Sequence, residues 1–222
     1  MKYLLTILAI IILATGCRQV QAEPKVITKT VTEIEYVEVE VENTEKINAL
    51  EEDISRYSKL IGSLNTLLGN VYYVYDDNGQ FITEATGFAI EYKDKFYLIT
   101  AGHAVDWEND YHPNLKFRAN YSDTWIYPKL LTYKNLYAQR EDYAIFYSED
   151  IDSGLTVNST NVNNKYVLGA NKLNTIRRAG MSKVIQGESG SPVINLDGEV
   201  IEILTGGTTD IDIVLRAIDN LE

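Results

Sequence analysis

Apolar residues fall into successive patterns along the chain, and each predicts a different element. Leu4 to Leu13 form an apolar run broken only by Thr6, preceded by Lys2 and followed by Ala14-Thr15-Gly16 and then Cys17. A positive start, a short apolar stretch and small residues at its end have the architecture of a signal peptide. An uncleaved anchor is the alternative, but a membrane-crossing helix needs about 20 apolar residues and Arg18 ends this run earlier. From Arg18 to Asn43 valine or isoleucine alternates with charge, most clearly over Ile34-Glu35-Tyr36-Val37-Glu38-Val39-Glu40-Val41-Glu42. Period-two alternation predicts an extended segment, and like charges along one face oppose self-pairing, so residues 17–43 read as a solvated extended tether. A paired ribbon is the alternative.

The period then changes. Asn43 or Thr44 can cap a helix with Glu45 in its first turn, and Ile47, Leu50, Ile54, Tyr57, Ile61, Leu64 and Leu68 follow at spacings of three and four. This is a heptad seam of about three repeats over residues 44–69, ended by Gly69 and Asn70. It fits either a parallel homo-oligomeric coiled coil or a helix laying its stripe on its own domain.

Beyond residue 70 the chain becomes a series of short runs rich in valine, isoleucine, tyrosine and phenylalanine. Turns such as Asp76-Asp77-Asn78-Gly79 and Leu196-Asp197-Gly198 separate them. The expected strands are 71–75, 86–92, 95–100, 125–132, 143–147, 165–168, 191–195 and 199–204. Ile211, Val214, Leu215, Ile218 and Leu221 recur at helical spacing, so a short amphipathic helix closes the chain. The fold class is all-β, with residues 70–222 as one domain of paired antiparallel β-barrels.

Charge and composition narrow the functions open to this fold. Thirty-two acidic against 20 basic residues give a formal charge of −12, which repels nucleic acid phosphates. With Cys17 as the single cysteine there is no internal disulfide, and the fold must rest on packing. No Cys, His or carboxylate cluster has metal-ligand spacing, so neither metal nor organic cofactor is expected. The small residues before Cys17 resemble the bacterial lipoprotein signal. That resemblance implies cleavage before Cys17, lipid on its sulfur, and a cell-membrane location facing the periplasm or the outside.

Three segments carry chemistry. In Gly187-Glu188-Ser189-Gly190-Ser191-Pro192-Val193 a serine is flanked by glycines that permit a tight turn, expose the hydroxyl and aim the amides of Gly187 and Ser189 at one point. Taken alone, it also fits a Gly-Ser turn between strands. His103 ends the apolar run Tyr97-Leu98-Ile99-Thr100-Ala101-Gly102 and is one of only two histidines, the residue type best suited to act as a base near neutral pH. The other, His112, sits among Asp110, Tyr111 and Pro113 and reads as a solvated surface residue. Asp142 opens the run Tyr143-Ala144-Ile145-Phe146-Tyr147, where a partly buried carboxylate can orient an imidazole. Glu141, Asp106 and Asp110 compete for that role.

Together these segments resemble the chymotrypsin-like, or trypsin-like, serine peptidase family across roughly residues 70–222. Thr100-Ala101-Gly102-His103 resembles the histidine motif, Asp142-Tyr143-Ala144-Ile145 the aspartate motif and Gly187 to Val193 the nucleophile motif. The order is His, Asp, Ser, whereas an α/β-hydrolase runs Ser, acid, His. The resemblance implies a triad of His103, Asp142 and Ser189, an oxyanion hole from the amides of Gly187 and Ser189, and a protein or peptide substrate.

The same resemblance implies that Lys183 approaches the base of a substrate pocket walled by Thr205, Gly206 and Gly207. A lysine there favours an acidic substrate side chain, with an exposed hairpin lysine as the alternative. The Asp142-to-Ser189 interval is short, so the second barrel is expected to be abbreviated. Glu188 stands where digestive members use an aspartate to bind a newly cut N-terminus, so activation by such a cut is not expected. Lys59-Leu60-Ile61-Gly62 has the outline of an activation site, yet Ile61 belongs to the helical seam. The rival function is a tethered binding module that kept the fold without activity, and a third is an esterase using the same site.

Overall fold

A computed structural model of the chain describes residues 33–77, 85–107, 110–119, 122–160, 162–170, 175–180 and 184–221. Residues 1–16, Cys17 and the tether up to residue 32 lie outside them, as does Lys183. The chain divides into two compact units, Met1–Leu50 and Glu51–Glu222, and every strand among the described residues belongs to the second. No helix among the described residues is long and apolar enough to cross a membrane.

Helix α1 runs from Glu33 to Gly69. The alternating segment from Ile34 to Asn43 is therefore helical, which corrects the extended tether over residues 33–43. Alternation favours a strand only where a neighbouring strand can take its backbone hydrogen bonds, whereas a helix satisfies them internally. The heptad seam divides. Leu60 and Leu68 are buried, with Leu64 and Leu67 packed partly against the same core, while Ile47, Leu50, Ile54 and Ile61 face solvent. Two polar contacts fasten this end of the helix: Arg56 pairs with Asp197 at 2.9 Å, and the hydroxyls of Tyr57 and Tyr166 meet at 2.7 Å. The latter contact and burial of the ring push the Tyr166 phenol up to about 12, burial being the larger cause.

Thirteen strands follow among the described residues. They are β1 Val71–Asp76, β2 Ala85–Tyr92, β3 Lys95–Thr100, β4 Asp106–Trp107, β5 Asp110–Tyr111, β6 Leu115–Ala119, β7 Lys129–Leu136 and β8 Glu141–Tyr147 in the first half. The second half holds β9 Tyr166–Ala170, β10 Thr175–Arg178, β11 Pro192–Ile194, β12 Val200–Leu204 and β13 Thr208–Asp210, then helix α2, Ile211–Asp219. Six form an antiparallel sheet ordered β6-β1-β2-β3-β8-β7, five form a second ordered β10-β9-β11-β12-β13, and β4-β5 is a separate hairpin. The all-β expectation with a terminal helix holds, and the second sheet is the shorter one. Neither sheet closes into a complete hydrogen-bonded barrel among the described residues.

The central strands of the first sheet are continuous apolar runs because each face meets its own core. Along β2, β3 and β8, Phe88, Ile90, Tyr97, Ile99, Tyr143 and Ile145 point to one core. The intervening Ala89, Leu98, Ala144 and Phe146 point to another, shared with Val74 and Phe117. Successive side chains of a strand project to opposite faces, so a strand buried on both sides loses its polar positions. The first of these cores extends beyond the first sheet: Leu168, Ile194, Val200 and Ile203 of the second sheet join it, with Ile211, Val214 and Ile218 of α2 and Leu60 and Leu68 of α1.

Candidate active site

Register delivers His103 to Asp142. Strands β3 and β8 pair antiparallel with Thr100 opposite Ala144, so continuing the chain past the end of β3 brings the segment after Ala101 against the start of β8. Gly102 makes the turn possible, because a Cβ there would collide with the Lys134 carbonyl of β7. The Asp142 side chain is fully buried, and that of His103 is 14% exposed. Oδ1 of Asp142 accepts the backbone N–H of His103 at 2.8 Å, and Oδ2 lies 2.7 Å from Nδ1. A carboxylate can only accept, so the ring proton belongs on Nδ1 and the lone pair on Nε2. Behind the aspartate, the hydroxyl of Thr209 on β13 accepts the Asp142 backbone N–H at 3.1 Å and donates to its carbonyl at 3.3 Å.

Ser189 lies in the turn before β11. Its carbonyl accepts the N–H of Thr86 on β2 at 2.8 Å, and the Thr86 hydroxyl donates to the Gly187 carbonyl at 2.7 Å. The Thr86 carbonyl in turn accepts from the Thr100 hydroxyl at 2.7 Å. One threonine thus stitches the serine turn of the second half to the first sheet, close to the end of the strand that leads into His103. Gly190, at φ 88°, packs against this stitch so closely that a Cβ would strike the Thr86 carbonyl. Gly187 also has a positive φ, 92°, a backbone state open to glycine at little cost.

His103 and Ser189 face a common cavity of about 610 Å³, lined also by Trp107, Asn135, Val184, Ile185, Gln186, Thr205 and Gly206. Of the three residues expected on a pocket wall, Thr205 and Gly206 line this cavity and Gly207 is not among the lining residues. The Trp107 ring, from the β4-β5 hairpin, stands edge-on to His103 at 5.5 Å. The sequence offered no signal for Trp107, Thr86 or Thr209, since each acts through a contact to a distant segment.

The competing acids are engaged elsewhere. Glu141 pairs with Lys134, whose ammonium that contact holds above its ordinary value. Asp106 accepts from the Tyr133 hydroxyl at 3.4 Å, and burial together with this carboxylate pushes the Tyr133 phenol up. Asp110 lies 3.1 Å from Nε2 of His112. His112 itself is a correction to the sequence reading: it is buried at 7% exposure, not solvated, with Nδ1 3.4 Å from Asp76. Its backbone N–H donates to the Val105 carbonyl at 2.6 Å. Among the described residues no group of three or more His, Cys, Asp or Glu side chains is placed to hold a metal ion.

No family model matches the chain, and no curated protein matches it by sequence. Solved structures do. The active form of the Rv3671c protease from M. tuberculosis superposes with a TM-score of 0.53 at 16% identity, over 71% of this chain and 82% of that one. Its inactive form gives 0.52 at 17%, over 71% and 91%. The serine endoprotease from Yersinia pestis gives 0.56 at 16%, over 74% of this chain and 66% of that one. The chain has a serine protease fold. Within that fold His103 and Asp142 meet at the ends of β3 and β8, and Ser189, from the turn before β11, lines the same cavity as His103.

Proposed function

We propose that the chain is a serine endopeptidase, held at a membrane surface by lipid on Cys17, that cleaves protein or peptide substrates through His103, Asp142 and Ser189. The observation that carries the reading is the buried His103–Asp142 contact at 2.7 Å, with His103 and Ser189 opening onto one cavity. In the reaction Ser189 Oγ attacks the scissile carbonyl while Nε2 of His103 takes its proton. Asp142 keeps the other ring proton on Nδ1 and stabilises the imidazolium that forms. The oxyanion is received by the N–H groups of Gly187 and Ser189. Collapse breaks the C–N bond, His103 returns its proton to the departing amine, and the acyl-enzyme is then hydrolysed by water that His103 deprotonates.

A fluorophosphonate probe tests the site directly, because only a serine activated by a base and an oxyanion hole reacts fast. Labelling at Ser189 is the expected result. No label, or label on another residue, would reject the reading and favour a tethered module without activity. Attachment through Cys17 rests on the signal pattern of residues 2–17. A bacterial host fed a palmitate analogue should label the wild-type chain, and a Cys17→Ser chain that still takes up label would disprove the anchor.

A further inference from the structure

Glu188 immediately precedes the proposed nucleophile, and its side chain is withdrawn from solvent to 1% exposure. A carboxylate at such depth is tolerated only when paired and hydrogen-bonded. Arg177 of β10 supplies the pairing: Nη2 donates to Oε2 at 2.7 Å and Nε to Oε1 at 3.3 Å, a fork across both oxygens. Oε2 also accepts the backbone N–H of Ile185 at 3.0 Å, and the Glu188 N–H donates to the Ile185 carbonyl at 3.0 Å. The turn 185–188, which carries Gly187, is therefore closed twice, by its backbone and by the carboxylate. Thr86 fixes its other side through the Gly187 carbonyl. Arg177 is itself set by the β9-β10 ladder, opposite Val167.

We infer that Arg177 is a positioning residue that locks the oxyanion-binding turn into working shape as the chain folds, so that no newly cut N-terminus is needed for activity. The inference rests on the peptidase reading. Where digestive members of the resembled family bring a fresh ammonium to an aspartate, this chain holds an internal guanidinium, and the Glu188 carboxylate already has three donors. The candidate cut site argues the same way. Leu60 is 5% exposed in the shared core, so a cut before Ile61 would pull a core residue loose, and Ile61 is 70% exposed on a continuous helix. Without Arg177, Glu188 keeps a buried charge with a single backbone donor. Its cheapest relief is to swing toward water, and the amides of Gly187 and Ser189 move with it.

The test uses the uncut full chain in four forms: wild type, Arg177→Lys, Arg177→Gln and Arg177→Gln with Glu188→Gln. The last removes the unpaired charge and keeps the experiment readable if the single glutamine variant fails to fold. Wild type should react with the fluorophosphonate probe as made. Arg177→Gln should lose on the order of 10²-fold in kcat and in probe rate, the size of a missing oxyanion donor, with KM changing less than about threefold. The neutral double variant should lose about tenfold or more, because its amide pair cannot reproduce the charged fork. Arg177→Lys should lose less than Arg177→Gln but fall short of wild type, since charge is kept while the bidentate fork is lost. A double variant with wild-type kcat overturns the inference, as does a wild-type chain that reacts only after its N-terminal helix is trimmed. A chain silent to the probe both before and after trimming rejects the peptidase reading itself.

Discussion

Ser189→Ala is expected to lower turnover of a peptide substrate by on the order of 10⁶-fold, the cost of breaking a triad that works as a unit. The change deletes one oxygen and leaves the turn intact, because the Ser189 contact with Thr86 runs through the backbone carbonyl and survives in alanine. Glu188 keeps its fork with Arg177, and Gly190 keeps its seat against Thr86. The loss should therefore fall on kcat, with KM and the thermal midpoint close to wild type. Residual catalysis of about 10³–10⁴ over water is expected from the oxyanion donors and substrate binding alone. Steady-state kinetics with a denaturation scan checks both halves. A variant turning over within tenfold of wild type would place the chemistry elsewhere.

Asp142→Asn should cost about 10⁴-fold in kcat for a different reason. The aspartate accepts twice from the same residue, through the His103 backbone N–H at 2.8 Å and the ring nitrogen at 2.7 Å. Asparagine offers one acceptor and one donor. If its oxygen keeps the backbone N–H, its NH₂ faces Nδ1 and forces the imidazole proton onto Nε2. The base is then blocked toward Ser189 while the fold is kept, so binding should be nearly unchanged. Measuring kcat and KM separately decides: a loss confined to KM would mean that Asp142 only shapes the cavity.

How far these residues can be found from sequence follows from the distance over which each acts. The runs Tyr97–Ile99 and Tyr143–Phe146 are legible because burial on both faces removes charged positions, and His103 and Asp142 stand out as polar exceptions beside them. The Gly187-to-Val193 run is legible because a tight turn with positive φ leaves glycines in the sequence. Strands β10 and β13 were not expected, since Thr175-Ile176-Arg177-Arg178 and Thr208-Thr209-Asp210 carry too few apolar positions to show a period. Strand β7 begins at Lys129, four residues past the expected start, where aromatic residues from Trp125 onward mimic strand composition. The helix begins at Glu33 although its first turns alternate like a strand.

By itself the sequence determined the all-β class and the closing helix, and it singled out His103, Asp142 and Ser189 as candidates in that order, all from local period or local turn chemistry. Only the tertiary structure decided what holds them. Thr86 reaches Gly187 across 101 positions, Thr209 reaches Asp142 across 67, and Arg177 and Glu188 meet only when β10 is laid beside the serine turn. A hydrogen bond or ion pair between distant segments leaves no periodicity at either end. Threonine, arginine and glutamate at such places look like ordinary polar residues until the fold brings their partners to them.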